Sequence, residues 1–335
     1  MSTPEIEPFG FTEANEAVDY IANQAERTRL EPPTVSVTLG SGLKSFAERN
    51  TRSDNRLVIP YSDIPHFPAP RQHVAGHEGR LVIAPTGVGD STMAIWSGRL
   101  HYYQELLRDG EKITDLDVKR AAIGFYIAVC RALGVEDILT SNAVGAVWPE
   151  RYKVGDVVRV TDHILALDED FGIPADERWF ADRKEADPDY DFGTADYFYG
   201  QANLYSPEIA AVADSVAADL GMKLPTGVLN WRKGRGYESP AMVEAIRRSG
   251  GDLAGMSTAP EAQRARTVGY SNRPGQRQFA AFSAVTNVAQ IEHAQVLSHA
   301  DVAEAGQSIE DTFNPFMMEL VRRLAARRQQ PPVAA

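Results

Sequence analysis

Three short stretches in the second half of the chain carry side chains whose types suit joint chemistry. Gly236-Tyr237-Glu238-Ser239-Pro240 offers a ring, a carboxylate and a helix start; Met256-Ser257-Thr258 offers a hydroxyl; Thr286-Asn287 offers a carboxamide. Thr258-Ala259-Pro260-Glu261 has the S/T-x-x-E pattern of a capping box. Ser257 therefore stands beside the free amides of a helix N-terminus, where a phosphate-like anion is held well. A carboxylate accepts hydrogen bonds, whereas a carboxamide both donates and accepts. The three stretches read as parts of one site. Singly, each has a plainer reading: Glu238 as a solvated charge, Asn287 as a turn residue, Met256 as core.

The first half supplies candidates for the other side of that site. Val35-Ser36-Val37-Thr38-Leu39 is a strand-like run that leads into Gly40-Ser41-Gly42-Leu43. Two glycines around a serine let amides and a hydroxyl converge on an anion. The spacing is neither GxGxxG nor that of a P-loop. Arg99 and His101 end another strand-like run, two residues apart and so able to point the same way. Ser141-Asn142-Ala143-Val144-Gly145 follows the strand-like Glu136 to Thr140, and ligands of open α/β sheets bind outside such strand ends. His73 and His77 have helical metal-ligand spacing, but Gly76 and the prolines before them argue against a helix, so no metal is assigned.

The elements that must position these groups alternate. Helices are expected at 13–29, 114–133, from Ser206-Pro207 to about Leu220, from Ser239-Pro240 to Gly250, and from Ser298 past Arg322, with a kink or break at Pro315. Strands lie between them. The pattern predicts an α/β fold, one domain over 1–335 with its core at about 13–325. An insertion at about 168–205 has eleven acidic against three basic residues and is expected on the surface.

The composition agrees with a soluble globular chain of 335 residues, 43% hydrophobic and 24% charged. A net charge of −12 weighs against nucleic acid as a partner. The lone Cys130 lies in an apolar run and reads as a small buried hydrophobe. No stretch has the length and apolarity of a membrane span, and no leader is evident, so a cytoplasmic location is expected.

In order along the chain, these pieces resemble the trimeric class of purine nucleoside phosphorylases. The likeness covers roughly 13 to 325. It is carried by Gly40-Ser41-Gly42-Leu43, Val74-Ala75-Gly76-His77-Glu78-Gly79-Arg80, Gly98-Arg99-Leu100-His101-Tyr102-Tyr103, Ser141-Asn142-Ala143, Val154-Gly155-Asp156, Asp162-His163, Tyr237-Glu238-Ser239, Gly255-Met256-Ser257-Thr258, Pro260-Glu261 and Val285-Thr286-Asn287.

The resemblance implies a mixed twisted central sheet flanked by helices. It implies reversible phosphorolysis of 6-oxopurine nucleosides, inorganic phosphate as co-substrate, no other cofactor, and a homotrimer. Ser41, Arg99, His101, the Ala143 amide and Ser257 would hold phosphate, with His77 on a mobile loop nearby. Tyr103, Met256 and His299 would line the sugar. Tyr237 would stack on the base, while Glu238 and Asn287 bind its edge. Trp179 would reach a neighbouring subunit's site. Asn287, Glu238 and His101 would form the catalytic set. An acidic residue in place of Asn287 marks the relatives that cleave methylthioadenosine.

Lys233, Arg235, Leu229, Ala146 and Leu165 depart from the usual residues of that class. A phosphorylase for methylthioadenosine or an unusual nucleoside, and a non-catalytic nucleoside-binding homologue, stand as alternatives.

Overall fold

The fold was analysed in a computed structural model, which describes residues 9–40, 43, 45–52, 54–71, 79–108, 110–165, 179, 181, 185, 200–202, 204–270, 276–289 and 299–329. The strands are β1 (Pro33–Leu39), β2 (Leu57–Pro60), β3 (Ala69–Pro70), β4 (Arg80–Pro85), β5 (Thr92–Ser97), β6 (Leu106–Arg108), β7 (Glu111–Lys112), β8 (Asp137–Ala146), β9 (Val157–Ile164), β10 (Thr226–Trp231), β11 (Leu253–Gly255) and β12 (Gln278–Val288). The helices are α1 (Phe11–Thr28), α2 (Ser45–Asn50), α3 (Leu116–Ile123), α4 (Phe125–Ala132), α5 (Pro207–Asp219), α6 (Pro240–Arg248), α7 (Ala259–Thr267) and α8 (His299–Arg328).

Nine strands form one mixed sheet in the order β11-β10-β9-β12-β8-β1-β5-β4-β2, and β3, β6 and β7 form a small second sheet. This is the expected α/β class. β1 pairs in parallel with both β5 and β8. Its Val35, Val37 and Leu39 on one face and its Ser36 and Thr38 on the other are all buried, as suits a strand covered on both faces. One apolar cluster joins the sheet to α1, α3, α4 and α7; another joins it to α2, α5 and α8.

β8 belongs to two structures at once. Its first half lies beside β1, and its whole length runs parallel to β12. Its last residues turn to β11, with Gly145 opposite Ala254 and Ala146 opposite Leu253. The strands β8, β12, β9, β10 and β11 thus close on themselves. That closure brings the chain after β11, which carries Ser257, back toward the centre of the sheet.

Local signals explain most element ends. Ser206 and Ser239 cap α5 and α6, accepting from the Ile209 and Met242 amides at 3.0 and 3.4 Å, each followed by proline. The expected helix over 114–133 is two helices. The break falls at Gly124, where a Cβ would stand 2.7 Å from Arg264 Cγ, so the α7 side chain leaves room there only for glycine. Ser141 to Gly145 lie within β8, because β12 pairs along that entire segment. α8 passes through Pro315 as one helix of 30 residues, where a kink or break was expected.

The acidic insertion is not wholly superficial. Trp179, Leu204 and Tyr205 are buried in the main apolar cluster. The aromatic run Tyr197-Phe198-Tyr199 lies outside the described residues.

Gly40, just after β1, faces the backbone of β8. A Cβ there would stand 2.7 Å from Asn142 Cα and 2.8 Å from the Ser141 carbonyl oxygen. Backbone cannot yield as a flexible side chain can. Gly40→Ala should therefore lose about 1–3 kcal/mol of stability in urea unfolding. Gly234→Ala, with open space at its Cβ, should unfold at or above the wild-type midpoint. Equal midpoints for both variants would contradict the close approach.

Candidate active site

A cavity of about 280 Å³ opens at the carboxyl ends of β1, β5, β8, β11 and β12. Its lining includes Arg99, His101, Ala143 and Ser257, and also Tyr103, Tyr237, Glu238, Met256 and Asn287. Residues inferred from both halves of the chain therefore share one space.

The oxyanion part is tightly held. Arg99 is 4% exposed, and its Nη1 donates to Ser257 Oγ at 2.9 Å. The strand end before it is fixed by Gly98, at φ 108°, whose carbonyl accepts from the Tyr61 hydroxyl at 2.8 Å. The His101 amide donates to Gln104 Oε1 at 2.6 Å, and its ring stacks on Tyr103 with centroids 5.0 Å apart. At the end of β1 the Gly40 amide donates to Ser141 Oγ, which in turn donates to the Thr38 carbonyl. A guanidinium, an imidazole and a hydroxyl line the same cavity, a donor set suited to a phosphate-like anion.

The other part is set by the end of β12. Its register with β8 slips between Val285 and Asn287. Such irregularities re-aim a side chain beside a site. Gly145 makes room, since a Cβ there would stand 2.8 Å from Asn287 Nδ2. The Thr286 hydroxyl lies 3.3 Å from Asn287 Oδ1 and 3.2 Å from the Val144 carbonyl oxygen. It can satisfy the acceptor end of the carboxamide and leave Nδ2 as the donor.

Glu238 immediately precedes the Ser239 cap of α6. Burial raises its carboxyl above the ordinary 4.5, offset in part by its own backbone hydrogen bond and by Arg232. Tyr103 and Tyr237 hydroxyls are raised as well, chiefly by burial.

Not every expected residue falls here. Trp179 is 1% exposed, edge-on to Phe11 at 5.1 Å and beneath the Arg264 guanidinium. Its ring packs against this chain's own α1 and α7, and it is not among the residues lining the cavity; the resemblance implied that it reaches a neighbouring subunit's site. Ser41 and His77 lie outside the described residues. His299 opens α8, but its side chain lies outside the description, although Val302 one turn on does line the cavity.

Other lining residues had no assigned role. Asn142 accepts from Ser283 Oγ at its Oδ1, 2.7 Å away, which turns its Nδ2 toward Gly255. It lay inside a quoted motif, so its type was visible but its direction was not. Arg235 lines the cavity beside Tyr237 and Glu238.

Residues 35–322 match the sequence profile described as Phosphorylase superfamily. The chain belongs to the phosphorylase superfamily. Within that superfamily it is 31% identical over 309 residues to purine nucleoside phosphorylase 1 of Geobacillus stearothermophilus, covering 92% of this chain and 98% of that one. It is 32% identical over 297 residues to purine nucleoside phosphorylase 1 of Bacillus subtilis (strain 168), covering 89% and 93%. A Schistosoma purine nucleoside phosphorylase solved in complex with hypoxanthine aligns with a TM-score of 0.73 at 25% identity, over 95% of this chain and 99% of that one. Among the described residues, no helix of this superfamily member is long and apolar enough to cross a membrane.

The raised Glu238 carboxyl fixes a sign for pH dependence. The folded protein takes up this proton more readily than the unfolded chain. The associated stability is present at acid pH and is lost as pH rises from the ordinary value through the raised one. Glu238→Gln removes that loss. Its melting temperature should gain on wild type as pH rises above the ordinary carboxylate value. A difference that stays constant with pH would contradict a buried, costly carboxylate.

Proposed function

We propose that this protein is a purine nucleoside phosphorylase acting on 6-oxopurine ribonucleosides and deoxyribonucleosides, with inorganic phosphate as co-substrate. The observation that carries the reading is the shared cavity, lined by Arg99, His101 and Ser257 together with Tyr237, Glu238 and Asn287.

In this reading, phosphate sits on Arg99, His101, Ser257 and the Ala143 amide. As the glycosidic bond breaks, the sugar gains cationic character and its bonding pair passes to the purine. Phosphate stabilises the first and then bonds to the anomeric carbon, giving ribose 1-phosphate. Asn287 donates to N7 or O6 of the purine as negative charge gathers there. Glu238 accepts from N1–H. Tyr103 and Met256 flank the sugar, and Tyr237 covers the base. Holding both reactants in one cavity contributes through positioning, and the aimed donors through electrostatics. Ser41, His77 and His299 complete the phosphate and sugar contacts by resemblance. A homotrimer, a cytoplasmic location and the absence of any other cofactor belong to the same reading and rest on resemblance and sequence.

The test is release of ribose 1-phosphate from inosine, guanosine and adenosine, with and without phosphate. Phosphate-dependent cleavage of inosine and guanosine supports the reading; no hypoxanthine from inosine counts against it. Asn287→Ala should lower inosine cleavage by roughly 10²–10³ while phosphate binding persists. An equal loss for every base would remove Asn287 from base reading.

A further inference from the structure

Glu261 does more than cap a helix. It is the third residue of α7, is 1% exposed, and reaches three separate elements. Its Oε2 accepts from the Thr258 amide at 2.5 Å. Its Oε1 accepts from the Tyr126 hydroxyl of α4 at 3.0 Å. The same Oε1 lies 3.3 Å from Arg99 Nε, with both side chains 1% exposed. Arg99 in turn donates through Nη1 to Ser257 Oγ.

A capping carboxylate needs only the first of these contacts, and most stand in water. Here one carboxylate holds both anion-binding groups. It fixes Ser257 through the next residue's amide, and Arg99 through Nε. The backbone between them is constrained too, since Thr258 sits at φ 77°, where a β-branched residue rarely rests. Arg99 is buried, and a buried cation is tolerated only beside an opposite charge.

We infer that Glu261 is a positioning residue for the phosphate site. It supplies a counter-charge beside Arg99 Nε, on the side of the guanidinium away from the Nη1 that donates to Ser257. The inference rests on the phosphate role proposed for that part of the cavity.

A pure cap would alter stability and leave the two substrates equally affected. Positioning of Arg99 predicts a split. Glu261→Gln keeps the shape and an acceptor oxygen but loses the charge. KM for phosphate should rise about tenfold or more, with KM for inosine moving less than about twofold. In an Arg99→Ala background the same change should add less than about twofold to the phosphate KM, because the group it acts through is gone. Equal shifts in both KM values, or fully additive losses, would overturn the inference.

Tyr126→Phe provides a second route, since it keeps cap and charge and removes only the hydroxyl that orients Oε1. It should raise the phosphate KM by about two- to fivefold and spare the inosine KM. If Glu261→Gln does not fold and Tyr126→Phe leaves the phosphate KM unchanged, the inference fails. Wild-type protein that cleaves no nucleoside would refute the functional reading instead. Phosphate titration by calorimetry would then still report on Glu261, with weaker binding in Glu261→Gln expected and equal binding overturning the inference.

Discussion

The site depends on the closure of β8 onto β11. The pairing of Gly145 with Ala254 and Ala146 with Leu253 is short, yet it joins the last strand before Ser257 to the central strand of the sheet. Without it, Met256-Ser257 would emerge beyond β10, remote from Arg99. With it, a hydroxyl from residue 257 meets a guanidinium from residue 99 at 2.9 Å. Small residues make the closure possible. Gly145 yields space to Asn287, and a Cβ at Gly255 would stand 3.1 Å from Asn142 Nδ2. Larger side chains there would push the walls of the cavity apart.

Two physical regimes meet in that cavity. The oxyanion part is buried and holds paired charges, with Arg99 beside Glu261 and donating to Ser257. The base part is more open, with Tyr237 37% exposed and Glu238 burdened by its own burial. A rigid anion holder beside a more accessible ligand wall suits a site that keeps one reactant fixed and exchanges the other. The destabilising position of Glu238 fits a group retained for what it binds and not for the fold.

Much of this was legible in the sequence. Strands announced themselves because they are short runs rich in β-branched residues, such as Val35-Ser36-Val37-Thr38-Leu39. Helix starts at Ser206 and Ser239 were legible because capping is local chemistry. Arg99, His101, Ser257, Glu238 and Asn287 were found through collinear motifs and are brought together by the fold. What escaped depended on distant residues. Arg264 packs against the break at Gly124, and no window around residue 124 contains it. Glu261 was visible as a cap, but its hold on Arg99 spans 162 positions of sequence separation, from 99 to 261. Trp179 lay in an acidic, aromatic stretch that suggested an outward role; its burial on Phe11 and Arg264 became visible only with the tertiary packing. The course of β8 through Ser141 to Gly145 was hidden for the same reason, since small residues extend a strand only where a neighbour pairs with them.

The central claim is that one cavity holds an oxyanion and a purine side by side. A crystal structure of the protein grown with inorganic phosphate and hypoxanthine tests it most directly. The account predicts phosphate oxygens within hydrogen-bond distance of Arg99, His101 and Ser257, and the purine edge between Glu238 and Asn287 with Tyr237 across its face. Phosphate bound away from Arg99 and Ser257, or hypoxanthine seated outside the reach of Asn287, would contradict it.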